Sequence, residues 1–127
     1  MMKLYAPLSY WNATQNELKE SCNGCGAKDG MKVSDTMYGL CIKKACEIHD
    51  WMYKIGKTIA DKLFADAIFR LNLSIIIDAN SNFFTALLRH ERASKYYTAV
   101  ARWGESAFWV DKNKNDEMII TYKGEFR

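Results

Sequence analysis

Two stretches of helical periodicity stand three residues apart, and that spacing constrains the fold more than any other feature of the chain. From about Ile42, apolar residues recur at Ala45, Ile48, Met52 and Ile55, the three- and four-residue intervals that share one side of a helix. Gly56 follows the last of them, where a glycine commonly closes a helix, and Thr58 suits the N-cap of the next. With only Gly56-Lys57-Thr58 between them, the two helices are expected to fold back on each other as an antiparallel pair. In the second helix Leu63, Phe64, Ala67, Ile68 and Leu71 make a broad apolar surface. The pattern runs on towards Leu88 unless Asp78-Ala79-Asn80-Ser81-Asn82 bends or interrupts it. A third helix is expected from about Glu91 to Trp103, ended by Gly104.

The rest of the chain is less regular. Residues 1–20 hold the only proline, Pro7, and a short helix around Asn16 to Glu20. Residues 21–40 read as loop, punctuated by Gly24, Gly26, Gly30 and Gly39. Residues 111–117 read as a polar turn, and Met118 to Tyr122 as a short strand or a tail packed on the body. No internal repeat or domain boundary is visible in the 127 residues, so the expectation is one mainly α-helical domain, 1–127.

Composition narrows the function. Apolar residues make up 49% and charged residues 26%, the balance of a globular domain. A net charge of +3 suits attraction to an anionic membrane surface but is too small to argue for nucleic acid. No transmembrane segment is expected, because the apolar stretches are short and broken, as Ile75-Ile76-Ile77 is by Asp78 and Asn80. No signal peptide is legible at the start. The chain is therefore expected to be cytoplasmic as synthesised, or to be exported or carried in a virion by a route without a cleaved signal. In that setting Asn12-Ala13-Thr14 and Asn72-Leu73-Ser74 are chance matches to the glycosylation pattern.

The segment that carries chemistry is Cys46-Glu47-Ile48-His49-Asp50-Trp51-Met52-Tyr53. On a helix Cys46, His49, Asp50 and Tyr53 share a face, set away from the apolar side. A hairpin with its midpoint near 57 to 58 places His49 level with Asp66, and Lys54 level with Asp61. Asp66 would orient the imidazole as a carboxylate does behind a catalytic histidine. Asp61 would be a surface partner of Lys54, of little consequence. On this reading both Asp66→Asn and Asp61→Asn should leave stability nearly unchanged.

These residues resemble a family. Cys46-x-x-His49-Asp50-x-x-Tyr53 is similar to the active-site helix of phospholipase A2, and Ala65-Asp66-x-x-Phe69 to the second-helix motif of its compact bacterial and viral relatives. The resemblance covers about residues 22–70 and implies calcium-dependent hydrolysis of a phospholipid acyl ester, at the sn-2 position. It implies His49 as general base, Asp66 as its partner and Tyr53 as support. The phospholipid surface would be the substrate. It further implies a calcium ion held by the Asp50 carboxylate and by carbonyls of Gly24, Gly26 and Lys28, and a disulfide from Cys25 to Cys46. The stretch from Cys25 to Cys46 is longer than in the secreted enzymes, and Ala27-Lys28-Asp29 interrupts the glycine pattern.

Several readings stay open. Cys22, Cys25, Cys41 and Cys46 have a spacing close to that of a structural zinc site; disulfides and free thiols are the alternatives. Trp103, Phe108 and Trp109 are expected in the core, with a lipid-facing rim as the alternative. Tyr96, Tyr97 and His90 read as structural, and Arg89, Arg92 and Lys95 as a solvated face. The alternative to an enzyme is an inactive helical binding module, stapled by zinc or disulfides.

Overall fold

The structure, a computed structural model, describes residues 3–21 and 36–109. The expectations placed on Cys22, Gly24, Cys25, Gly26, Lys28, the 111–117 turn and the Met118 to Tyr122 segment lie outside these residues. The described part is mainly helical: α1 (Leu8–Trp11), α2 (Gln15–Ser21), β1 (Thr36–Met37), β2 (Leu40–Cys41), α3 (Lys43–Ile55), α4 (Ile59–Asn80), α5 (Phe83–Trp103) and α6 (Glu105–Trp109).

Capping explains where the helices begin. Thr58 and Asp61 form a reciprocal capping box at the start of α4, and Asn82 and Thr85 form another at the start of α5, each satisfying backbone donors that a helix end leaves unpaired. Thr14 and Glu17 exchange equivalent bonds before α2. The Asn82 cap corrects one boundary. The 78–82 stretch ends α4 at Asn80, and the next helix starts at Phe83 rather than Glu91.

α4 packs against both α3 and α5 and is the spine of the fold. Its buried side differs from the expected one. Leu63 and Leu71 are 52% and 42% exposed, whereas Ala65, Ile68, Phe69, Leu73, Ile76 and Ile77 are buried together with Asp61, Lys62, Asp66 and Asn72. Both sets obey helical spacing. A reading by hydropathy prefers the set without charges, but in the folded chain those four polar side chains have partners, which makes their burial tolerable. Asn72 bonds both the N–H and the carbonyl of Tyr5 at 2.8 Å and so ties the N-terminal segment to α4. The same segment covers α3, where Trp51 donates to Ser9 and Tyr10 donates to Glu47. Fully burying an apolar side chain such as Ile48, Met52 or Leu73 contributes about 1.5–3 kcal/mol.

Residues 36–41 are not loop. They form an antiparallel ribbon with Thr36 opposite Cys41 and Met37 opposite Leu40. Tyr38 and Gly39, at φ 48° and 81°, make its two-residue turn, the left-handed pair that suits the twist of a tight hairpin. Arg89 holds this turn. It donates to the carbonyls of Met37 and Tyr38 at 3.2 and 2.7 Å, and to the Asn80 carbonyl and Ser81 Oγ at 3.2 and 2.8 Å. It is therefore a clasp between the ribbon and the end of α4, not a solvated charge. Trp103 also departs from expectation: it is 61% exposed, while Phe108 is fully buried. Among the described residues no helix is long and apolar enough to cross a membrane.

Candidate active site

Asp66 is the centre of a buried polar cluster between α3 and α4. Its Oδ1 lies 2.8 Å from His49 Nε2 and accepts from the Tyr53 hydroxyl at 2.7 Å, and its Oδ2 accepts from Lys62 Nζ at 2.7 Å. His49, Tyr53, Lys62 and Asp66 are all buried. The contact between His49 and Asp66 expected from the hairpin spacing is present. His49 and Tyr53 lie one turn apart on α3, and Lys62 and Asp66 one turn apart on α4, so each helix contributes a pair to the same spot.

Burial by itself would raise the Asp66 carboxyl. The hydrogen bond and charge of His49 oppose it, as do the hydrogen bonds of Lys62 and Tyr53, and together they hold it below its ordinary value. Near neutral pH Asp66 is then a carboxylate and can only accept. His49 Nε2 must donate to it, which leaves the lone pair of a neutral imidazole on Nδ1. Among the described residues no group bonds Nδ1. The ring is held between Tyr53 and Phe69, with centroids 4.2 and 4.7 Å away.

A roof over Tyr53 comes from the end of the α5–α6 segment. Phe108 meets the Tyr53 ring edge-on at 5.2 Å. Gly104 sits so close that a Cβ there would lie 2.5 Å from the Tyr53 hydroxyl. A Cβ on Gly56 would lie 2.8 Å from the Phe108 ring. These glycines are needed for space, since neither has positive φ.

Asp61 is fully buried and caps α4, accepting from the backbone N–H groups of Lys57 and Thr58 at 2.8 and 3.1 Å. Asp61 is thus a buried cap and not the surface residue expected, because the carboxylate sits at the helix N-terminus where unpaired N–H groups attract it. Lys62 completes the cluster from one turn before Asp66 on α4. On sequence it reads as an ordinary helical lysine, and the only signal is its place four residues before Asp66.

Asp50 follows His49 on α3 and is half-buried. Its carboxylate is the hard oxygen donor that calcium prefers. It is the one expected calcium ligand among the described residues. Within them no group of three or more His, Cys, Asp or Glu side chains gathers as a metal cluster. Cys46 is a disulfide half-cystine, buried one turn before His49, and Cys41 is a free, exposed thiol. A sulfur committed to a disulfide offers no thiolate to zinc.

No family model, curated protein or solved structure matches this chain. The functional reading therefore rests on the geometry and on the motif resemblance.

Chemically the cluster has a histidine bonded through one nitrogen to a carboxylate that accepts from three side chains, and a second carboxylate, Asp50, is the next residue along α3. That is the equipment of a general base that activates water.

Proposed function

We propose that this chain hydrolyses an acyl ester of a phospholipid, at the sn-2 position, with His49 as general base. The observation that carries the reading is the His49 Nε2 to Asp66 Oδ1 bond of 2.8 Å between two buried side chains, in the motif setting Cys46-x-x-His49-Asp50-x-x-Tyr53 and Ala65-Asp66-x-x-Phe69. In this reading α3 and α4 form an antiparallel catalytic pair.

His49 Nδ1 removes a proton from water as the water oxygen attacks the ester carbonyl. Asp66 stabilises the imidazolium through Nε2–H, and Tyr53 and Lys62 hold Asp66 in place. When the tetrahedral intermediate collapses, the Nδ1 proton passes to the leaving alcohol oxygen, releasing a fatty acid and a lysophospholipid. Tyr53 acts by support, since its hydroxyl is spent on Asp66. Calcium held by the Asp50 carboxylate and the carbonyls of Gly24, Gly26 and Lys28 would supply positive charge for the substrate phosphate and the developing oxyanion. A Cys25–Cys46 disulfide would staple the loop to α3, consistent with the half-cystine at Cys46.

The test is fatty-acid release from mixed phospholipid vesicles. Release with calcium that stops on chelation is expected. Asp50→Asn should abolish it and weaken calcium binding in calorimetric titration while the fold persists. Equal calcium affinity in the wild type and Asp50→Asn would remove Asp50 from the site. No release at all would favour the inactive binding module.

A further inference from the structure

α4 and α5 pack on one another across a two-residue turn, Ser81-Asn82, so that turn is one end of a helical pair. The first two turns of α5 leave it with Phe83, Phe84, Leu87 and Leu88 all exposed. Spaced i, i+1, i+4 and i+5, they lie on one face of the helix. Phe83 and Phe84, at 74% and 75%, are the most exposed large apolar side chains among the described residues, and their rings meet edge to face at 5.7 Å. The core takes α5 through Ala93 and Tyr96 and leaves this face to the outside. Apolar surface gathered in one place in this way marks a site of interaction.

The residues that follow along α5 indicate what covers the patch. One turn past Leu88 comes Arg92, whose guanidinium lies 5.4 Å over the ring of Tyr38 and donates to its hydroxyl at 3.4 Å. Tyr38 is itself exposed. Lys95 follows on the same face, also exposed. Counted from the turn, the order is bare apolar side chains, then a tyrosine with its polar tip beneath an arginine, then a lysine. At 1.5 Å per residue, Phe84 to Arg92 spans about 12 Å of helix. The same order of environments is met on leaving a bilayer: acyl chains, the interface where tyrosine is favoured, and the layer of phosphates. A guanidinium at that level suits phosphate, with its stem lying along apolar surface. Charge separates this occupant from a second copy. Besides Arg89, which is tied to the ribbon turn, α5 carries Arg92, Lys95 and Arg102 against one acid, Glu91, and Glu91 already pairs with Lys95 at 3.7 Å. Two copies joined through α5 would set like charges together, whereas an anionic surface complements them.

We propose that the turned end of the α4–α5 pair is a docking surface for an anionic phospholipid membrane, with Phe83, Phe84, Leu87 and Leu88 entering the acyl region and Arg92 and Lys95 meeting the phosphates. Asp66 lies about 21 Å back along α4 from its end at Asn80. Docking at the turn needs no turnover and does not rest on the hydrolytic reading.

The experiment is sedimentation of the full-length protein with lipid vesicles in chelator, so that neither calcium nor hydrolysis contributes. Vesicles of phosphatidylcholine mixed with phosphatidylserine should carry the wild type down, less so at high salt. Phosphatidylcholine alone should carry less. Replacing both phenylalanines, Phe83→Ser with Phe84→Ser, leaves the core untouched and should lower the partition constant about tenfold or more. Arg92→Gln should lower it about fivefold on the mixed vesicles. Leu63→Ser, at an exposed leucine of α4 outside the patch, should bind as the wild type does. Thermal melts check that each variant is folded. Wild type left in the supernatant, undiminished binding by the double variant, or an equal loss in Leu63→Ser overturns the proposal. Self-association of the wild type without vesicles, lost in the double variant while vesicle binding stays, assigns the patch to a second copy and also overturns it. Sedimentation in chelator without fatty-acid release in calcium would keep the docking surface and sink the phospholipase reading. Release in calcium, with equal sedimentation of wild type and double variant, would do the reverse.

Discussion

Asp66 accepts from three side chains, His49, Tyr53 and Lys62, all of them buried. Replacing it with Asn therefore does more than lower activity: it leaves the Lys62 ammonium in the interior without its counter-ion. Breaking one partner of such a pair typically costs about 3–5 kcal/mol, so denaturant unfolding of Asp66→Asn should show a loss of that order. This replaces the expectation that stability would hardly change. A shift below about 1 kcal/mol, the scale of an exposed pair, would mean that Lys62 is solvated. Asp61 makes a smaller but still measurable contribution through its cap. Asp61→Ala should lose about 1–2 kcal/mol by chemical unfolding, while the turnover of the folded fraction stays near that of the wild type.

At the scale of elements, the joint between Gly104 and Tyr53 is the most exacting contact. A Cβ at Gly104 would lie 2.5 Å from the Tyr53 hydroxyl and equally close to the Val100 carbonyl. Gly104→Ala should destabilise the fold by about 1–3 kcal/mol, the usual range for overpacking, and push the hydroxyl off Asp66. In a Tyr53→Phe background the same substitution should cost less, because part of the clash is gone; thermal melts of the four proteins measure that coupling. Additive effects would mean that the two residues do not meet. The elements also show what the sequence could and could not tell. The bounds of α3, the Thr58 cap and the meeting of His49 with Asp66 follow from apolar spacing and a three-residue spacer. The buried side of α4, the cap at Asp61, the clasp at Arg89 and the ammonium at Lys62 do not. Each depends on polar or charged side chains that are tolerated inside, or tied down, only because partners meet them in the folded chain. Some partners are close in sequence, as Thr58 is to Asp61 and Asp66 to Lys62, and some far away, as Tyr5 is to Asn72 and Met37 to Arg89. Hydropathy along a single strand of text carries no sign of those partners. The ribbon at 36–41 was hidden for a related reason: its strands are two residues long, too short for alternation to show.

At the scale of the whole molecule, the Asp66 network makes stability depend on pH. The Asp66 carboxyl is held below its ordinary value, against its burial, by His49, Lys62 and Tyr53. Its contribution is therefore fully present above the unfolded-chain value, about 3.9, and is lost as pH falls through the lower folded value. Unfolding free energy should decline on the acid side of about pH 4, and that part of the decline should be missing in Asp66→Asn. Covalent structure gives a second global test. With Cys46 in a disulfide, thiol counting under denaturing conditions without reductant should find at most two free thiols per chain, Cys41 among them. The most direct test of the catalytic reading compares wild type with His49→Gln, each shown to be folded, for fatty-acid release from mixed phospholipid vesicles with calcium. The wild type should release fatty acid and His49→Gln should fall to background, since the base itself is gone. Equal release by the two proteins would contradict the assignment of His49 as the base.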